Sequence, residues 1–481
     1  MWSPAAETLE WSETPVKVGR QSSQSAGNQV SRPAIKSALP AGFEPAHPAP
    51  EAGALSPELR EPCRANPTEA RRPTLPPVKY VSTRGDAPEL DFQGALLAGL
   101  AADGGLYVPE EIPSLPRGWE HWSYQQAVTA SLTIYGAEQA GPIVMQAAAL
   151  FSHPEIAPLV TVGDRLVLEL FWGPTLSFKD HALQVLARLL ERELRAPATI
   201  LVATSGDTGS AAIEACRGRD NLRIVVLYPE GMVSEFQRRQ MTTVDDDNVL
   251  AVGVAGTFDD CQAMVKEAFR RHEGLLAVNS INWARIAAQT GYYIHLAARI
   301  GEAFDVVVPT GNFGNVFSCW LARRMGAPIE RITIANNANR GLASLVNTGS
   351  MGDGEVISTL APAMDISVPS NLERFTGDPT GEFGAGFAGD EGIRDTIAEV
   401  DVKHGYLLDP HTATAWFVGN ETIEDRPLVV VGTAHPAKFA EAVQQAVGRT
   451  PEPPAGFDDL ADRKERSAQI AADPSELDRL I

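Results

Sequence analysis

From about Leu166 to Val447 short β-branched runs alternate with longer stretches of helical period, and few folds accept that rhythm. The runs predict strands over Thr199–Thr204, Arg223–Tyr228, Val249–Val254, Leu275–Val278, Val306–Pro309, Arg331–Ala335 and Leu428–Gly432. Helices are predicted over Phe178–Leu194, Ser210–Arg217, Phe258–His272, Ala284–Ile300, Val316–Met325 and Ala437–Val447. In the first of these Ala182, Leu186, Leu189 and Leu190 share one face, the stripe of a helix lying on a sheet. Val306-Val307-Val308 is continuously apolar, as expected of a strand covered on both sides. The fold class is therefore α/β, a mostly parallel sheet arrangement in two lobes.

Other parts of the chain break the rhythm. Residues 78–165 carry helical patterns punctuated by Gly and Pro, and are expected to form a mainly helical N-terminal subdomain. The lobes are assigned to 166–281 and 282–449, and the acidic, proline-punctuated 450–481 to a peripheral tail. Residues 1–77 differ again: they hold 13 of the 35 prolines, eight Lys plus Arg, eight Glu and no Asp. Such a stretch buries too little apolar area to offset its ordering entropy. It is expected to be either a flexible extension or sequence upstream of a biological start at Val78.

Composition narrows the function. With 44% hydrophobic and 21% charged residues the body can bury a core, and no apolar run reaches the length of a membrane helix. A net charge of −21 argues against neutralising nucleic-acid phosphates. Cys63, Cys216, Cys261 and Cys319 are scattered without metal-ligand spacing, the usage of a reduced cytoplasmic protein. No metal site, nucleic-acid partner or membrane partner is expected.

Ligands of α/β folds gather at the carboxyl ends of strands, and five loops there are unusual. Thr204-Ser205-Gly206-Asp207-Thr208-Gly209-Ser210 offers hydroxyls, an acid and close backbone approach at a helix start, though taken alone it reads more simply as a capped turn. Gly311-Asn312-Phe313-Gly314-Asn315 reads equally as a phosphate nest or a glycine turn. Asn279, Ser280 and Arg285 can hold an oxyanion; a helix cap beside a solvent-facing arginine is the simpler reading. In Thr433-Ala434-His435-Pro436 the hydroxyl can meet a ring nitrogen, and His435 is either an acid–base group or structural. Lys179, at the start of a helix among apolar residues, is either a reactive amine or a surface lysine paired with Asp180. As a set they suit pyridoxal phosphate: Lys179 for the Schiff base, Gly311–Asn315 for the phosphate, Thr433 for the pyridine nitrogen.

These residues resemble the threonine synthase family, pyridoxal-phosphate enzymes of the tryptophan-synthase-β type (fold type II). The resemblance runs from about Tyr80 to Val447. It is carried by Tyr80-Val81-Ser82-Thr83-Arg84-Gly85, Asp103-Gly104-Gly105-Leu106-Tyr107-Val108-Pro109, Gly173-Pro174-Thr175-Leu176-Ser177-Phe178-Lys179-Asp180 and Ser205-Gly206-Asp207-Thr208-Gly209. It continues through Gly311–Asn315 and Thr433-Ala434-His435-Pro436-Ala437-Lys438-Phe439. It implies conversion of O-phospho-L-homoserine and water to L-threonine and phosphate. By position it implies Lys179 as the cofactor lysine and proton shuttle, Gly311, Asn312, Phe313 and Asn315 at the cofactor phosphate, and Thr433 at the pyridine nitrogen. Ser205, Asp207 and Thr208 fall near the substrate carboxylate and cofactor hydroxyl, and Asn279, Ser280 and Arg285 at the substrate phosphate.

Four positions depart from the family pattern: Trp172, His181, Arg340 and Ala363. The rival readings are a related lyase acting on a phosphorylated amino acid, and a catalytically inactive ligand-binding relative. The sequence leaves monomer and homodimer both open.

Overall fold

The computed structural model describes residues 78–481 except 353, 423 and 424. The expectations for residues 1–77, Cys63 included, lie outside the described residues. All the predicted strands form, with ends displaced by at most two residues, and they fall into two separate sheets. One sheet is five-stranded and wholly parallel, in the order Ala468–Ala471, Val249–Ala255, Leu222–Pro229, Ala198–Ala203, Leu275–Leu276. The other has six strands, in the order Gly384–Phe387, Ile329–Asn336, Phe304–Pro309, Leu428–Gly432, Arg165–Glu169, Leu159–Val162. Its last strand is antiparallel, joined to its neighbour by a tight turn at Gly163, whose φ of 62° is left-handed. Ile224, Val226, Val306 and Val430 are fully buried, as expected of strands covered on both faces.

Two boundaries differ from the sequence reading. Arg165–Glu169, grouped there with the first lobe, pairs in parallel with Leu428–Gly432, Val167 opposite Val430. From Leu159 the chain runs in the six-stranded sheet, crosses to the other after Glu169, returns after Leu276 and crosses again after Gly432 to its last strand. The tail, expected to be peripheral, supplies the edge strand Ala468–Ala471 of the five-stranded sheet and buries Leu477 completely. A four-residue edge strand carries too little alternation to show itself in sequence.

The N-terminal region is mainly helical, with Phe92–Ala98, Tyr124–Ile134 and Ala140–Ala148 beside a small hairpin of Tyr80–Ser82 and Tyr107–Pro109. Helix Tyr124–Ile134 covers helix Trp283–Ile300, in which every residue from Trp283 to Ala297 is buried. Their close crossing depends on Gly291, where a Cβ would lie 2.5 Å from Val128 Cα, and on Ser131 Oγ donating to Ala287 O. Helix Trp283–Ile300 also packs on helices Lys179–Glu193 and Gly314–Met325, so one buried rod ties the subdomain to both functional helix starts.

Candidate active site

Lys179 begins its helix because the loop before it is fastened to the end of strand Leu428–Gly432. Phe178 N donates to Thr433 O at 2.9 Å and His435 N to Leu176 O at 3.0 Å, with Leu176 in the left-handed region at φ 62°. Thr433 is thereby held beside the residue that precedes Lys179. The lysine is neither on the surface nor paired with Asp180: it is 9% exposed, and its Nζ lies 3.1 Å from Asp207 Oδ2. Burial pushes the amine below its ordinary pKa; Asp207 opposes the shift, while Arg285 and Lys438 reinforce it. Asp180 instead accepts from Thr175 N and Oγ1, and burial raises its carboxyl to about 6.

Asp207 opens the helix after strand Ala198–Ala203 and is itself buried. Gln237 Nε2 donates to its Oδ1 at 2.8 Å, and Lys438 Nζ lies 3.2 Å from the same oxygen. Burial works against the charge, but Lys179, Lys438 and His411 together hold the carboxyl well below the usual range. The turn is closed by Thr204 Oγ1, which accepts from Gly206 N and Gly209 N. Ser205 and Thr208 are half-buried on the same turn.

The two candidate anion loops meet. Gly311–Asn315 follows strand Phe304–Pro309 and opens helix Gly314–Met325. Phe313 is left-handed at φ 65° and precedes helical Gly314, the change of hand that turns successive N–H groups to one side as an anion nest. Its buried ring, against Phe317, Phe375 and Phe383, anchors that strained backbone. Gly311 has no room for a Cβ, which would overlap Ala363 O. Asn315 Oδ1 accepts from Tyr292 at 2.5 Å and Tyr293 at 3.0 Å, while its buried Nδ2 has no partner. Asn371 Nδ2 spans the loops, donating to Ser280 Oγ at 2.9 Å and to Asn312 O at 3.1 Å.

Arg285 faces inward, not to solvent: it is 2% exposed, donates to Val278 O at 3.3 Å, and leaves Nε unpartnered. Burial lowers its guanidinium to about 10. Asn279 Oδ1 is likewise buried and unpartnered.

Sequence reasoning missed several of these groups. Arg374 is buried, donates to Ser280 O at 3.0 Å and contacts Ile281 O and Asn371 Oδ1. Its neighbour Glu373 binds Arg84 and Thr83, which gives the Ser82–Gly85 motif a mechanical link to the anion clamp. His411, held by Asp409 Oδ1, accepts from Ala363 N behind the Gly311 loop. The Asp409-Pro410 start of its helix was a readable N-terminal signature, as was the Ser234-x-x-Gln237 capping box; nothing local marks Asn371 or Arg374. His435 takes its structural reading, its ring accepting from Ala437 N and burial lowering it to about 4.

The departures lie at differing distances from this centre. Trp172 donates to Glu169 and packs against Phe171 and His435. His181 is buried against Tyr124 and Leu170 O. Arg340 stacks over Phe387. Ala363 touches the Gly311 loop, and Trp172 the Thr433–Pro436 loop through His435.

Comparison with known proteins gives the same assignment from three directions. The family described as pyridoxal-phosphate dependent enzyme matches residues 155–431, threonine synthase N terminus 79–140, and threonine synthase C-terminal 412–481. A threonine synthase of Pseudomonas aeruginosa is 41% identical over 83% of this chain and 96% of its own. The chain belongs to the threonine synthase family. Among solved structures, the pyridoxal-phosphate-bound threonine synthase of Brucella melitensis is 41% identical, with a TM-score of 0.79 over 84% of this chain and 98% of that one. Yeast threonine synthase is 32% identical, with a TM-score of 0.77 over 84% and 97%.

The threonine synthase architecture is the two-lobed fold type II α/β arrangement, and the cofactor is pyridoxal phosphate. The residues present fit that group. A buried amine of lowered basicity, a glycine with no room for a side chain, a nest and an unpartnered Asn315 amide are what a covalently held phosphate ester requires.

Proposed function

We propose that this chain converts O-phospho-L-homoserine and water to L-threonine and phosphate, with Lys179 as the reacting amine. The observation that carries the reading is the pairing of two anion loops, Gly311–Asn315 and Asn279–Arg285, through the single side chain of Asn371. One suits the cofactor phosphate and the other a substrate phosphate. Gly311, Asn312, Phe313 and Asn315 would hold the cofactor at its phosphate, Thr433 at its ring nitrogen and Lys179 covalently. Bound pyridoxal phosphate supplies the electron sink that stabilises charge beside the substrate's amino group.

The chain's own residues do the rest. Lys179 Nζ, low in basicity through burial, takes the proton from substrate Cα and then serves at Cβ. Arg285, with Asn279 and Ser280, binds the substrate phosphate and stabilises it as it leaves Cγ. Ser205, Asp207 and Thr208, on one turn, would face the substrate carboxylate and cofactor hydroxyl. Water then adds at Cβ. A hydroxyl at the ring nitrogen, unlike a carboxylate, leaves that nitrogen largely unprotonated.

Among the described residues no helix is long and apolar enough to cross a membrane, and Cys216, Cys261 and Cys319 are free and buried. Unpaired thiols support work in the cytoplasm.

The test is product analysis with O-phospho-L-homoserine, following phosphate and threonine together in wild type and Lys179→Ala. Equal yields from the wild type and neither product from the variant are expected. Phosphate without threonine would favour the lyase reading, and neither product would refute the substrate.

A further inference from the structure

We propose that Lys438 is a positioning residue for this reaction, a second buried cation that keeps the Asp207 carboxylate charged and in place while Lys179 gives up its own charge. The inference rests on the reading of Lys179 as the reactive amine. Lys438 is fully buried on the turn after strand Leu428–Gly432. Its Nζ meets three acceptors: Thr175 O at 2.6 Å, Gln240 Oε1 at 2.7 Å and Asp207 Oδ1 at 3.2 Å. Two of these are hydrogen bonds and the third an ion pair, so every polar group facing the Lys438 amine is an acceptor that suits a cation. Gln240 is fixed in that orientation, because its Nε2 donates to Thr175 O at 3.2 Å.

Lys438 and Lys179 therefore hold opposite oxygens of one buried carboxylate. To accept a proton Lys179 must be neutral, and at that moment its charge no longer balances Asp207. With only Gln237 left, the carboxylate would be a buried charge without a counter-charge in contact, which is costly. Lys438 removes that cost because nothing in the reaction consumes its proton. The other charged or titratable groups facing this centre are Asp180, Arg285, His411 and His435, with Asp409 bound to His411. Among the described residues, none of these hydrogen-bonds the Asp207 carboxylate.

The experiment uses Lys438→Met and Lys438→Gln, the second retaining a donor for Thr175 O without the charge. Two profiles are read: kcat/KM for O-phospho-L-homoserine against pH, and the rate at which cofactor-stripped enzyme captures pyridoxal phosphate, followed by its visible absorption. Loss of the ammonium removes a cation that disfavours charge on Lys179, so capture requires a higher pH. It also leaves Asp207 without a cation in contact once Lys179 is neutral, which lowers kcat/KM. The capture midpoint is expected to rise by about one pH unit or more and kcat/KM to fall about tenfold or more, with wild-type circular dichroism.

Unmoved profiles in a folded variant overturn the proposal. So does loss of the fold in both variants, which would make Lys438 a structural residue. If capture shifts while the wild type forms no threonine, the substrate reading fails and the role of Lys438 stands.

Discussion

Replacing Gly311 by alanine separates a binding loop from an ordinary turn. A Cβ at that position would overlap Ala363 O and lie 3.2 Å from Met364 Cα, both backbone atoms that cannot swing aside. Relief requires one of the two segments to retreat, and overpacking of this kind costs about 1–3 kcal/mol. If the retreat falls on the loop that grips the cofactor phosphate, pyridoxal-phosphate affinity drops roughly 10- to 100-fold. Gly314→Ala is the control. Its Cβ would meet Ser280 Cβ and Asn371 Nδ2 at 3.4 Å, ordinary contact, and the residue already lies in the helix, so affinity should change less than about threefold. Equilibrium titration of the stripped enzymes with pyridoxal phosphate reads both. A Gly311→Ala enzyme that binds like wild type refutes the loop's role, and equal loss in the two variants refutes the argument from Ala363.

Arg285→Met should lower kcat/KM for the phosphorylated substrate roughly 10- to 100-fold, the worth of a charge-assisted bond, while cofactor binding persists; steady-state kinetics beside a cofactor titration test this. Asp180, raised to about 6 by burial, binds its proton more tightly folded than unfolded. Its share of stability is therefore complete below about pH 4 and lost as pH rises through about 6, on the order of 3 kcal/mol. Asp180→Asn should flatten that part of the wild-type stability curve, seen as the difference in denaturation midpoints at pH 4.5 and 6.5; parallel curves would count against it. Gly163→Ala combines φ 62° with a Cβ 2.6 Å from the His404 ring. It should cost about 1–3 kcal/mol in urea unfolding and leave kcat unchanged.

What could be read in advance follows from the range of each signal. Strands such as Leu428–Gly432 declare themselves by local composition, and their carboxyl-end loops by glycines and hydroxyls, so Lys179, Asp207, Gly311–Asn315 and Thr433 were visible as candidates. Sheet membership was not, because Arg165–Glu169 and Ala468–Ala471 take their places from partners hundreds of residues away. The same distance hides Asn371 and Arg374. They reach Ser280 across more than ninety residues from a short 3-10 turn whose sequence, Ser-Asn-Leu-Glu-Arg, has no periodicity to read. Lys438 stood inside a recognised motif, yet its role depends on Gln240 and Asp207 arriving from the other sheet's helices.

The crossings between sheets explain why the chemistry gathers where it does. Lys179 lies on the first crossing, and Asn279, Ser280 and Arg285 on the return. Asp207 and Gly311–Asn315 terminate strands of different sheets, and Thr433 ends the strand that pairs with the crossing strand itself. Each lobe alone would hold half of the groups, and no single helix–strand unit holds both Lys179 and its counter-charge. A shift of one sheet against the other would therefore move Gly311–Asn315 relative to Lys179 and Asp207, whose own helices pack on each other. The buried helix Trp283–Ile300, carrying Arg285 at one end and braced by the N-terminal subdomain at Gly291, is the element placed to resist that shift.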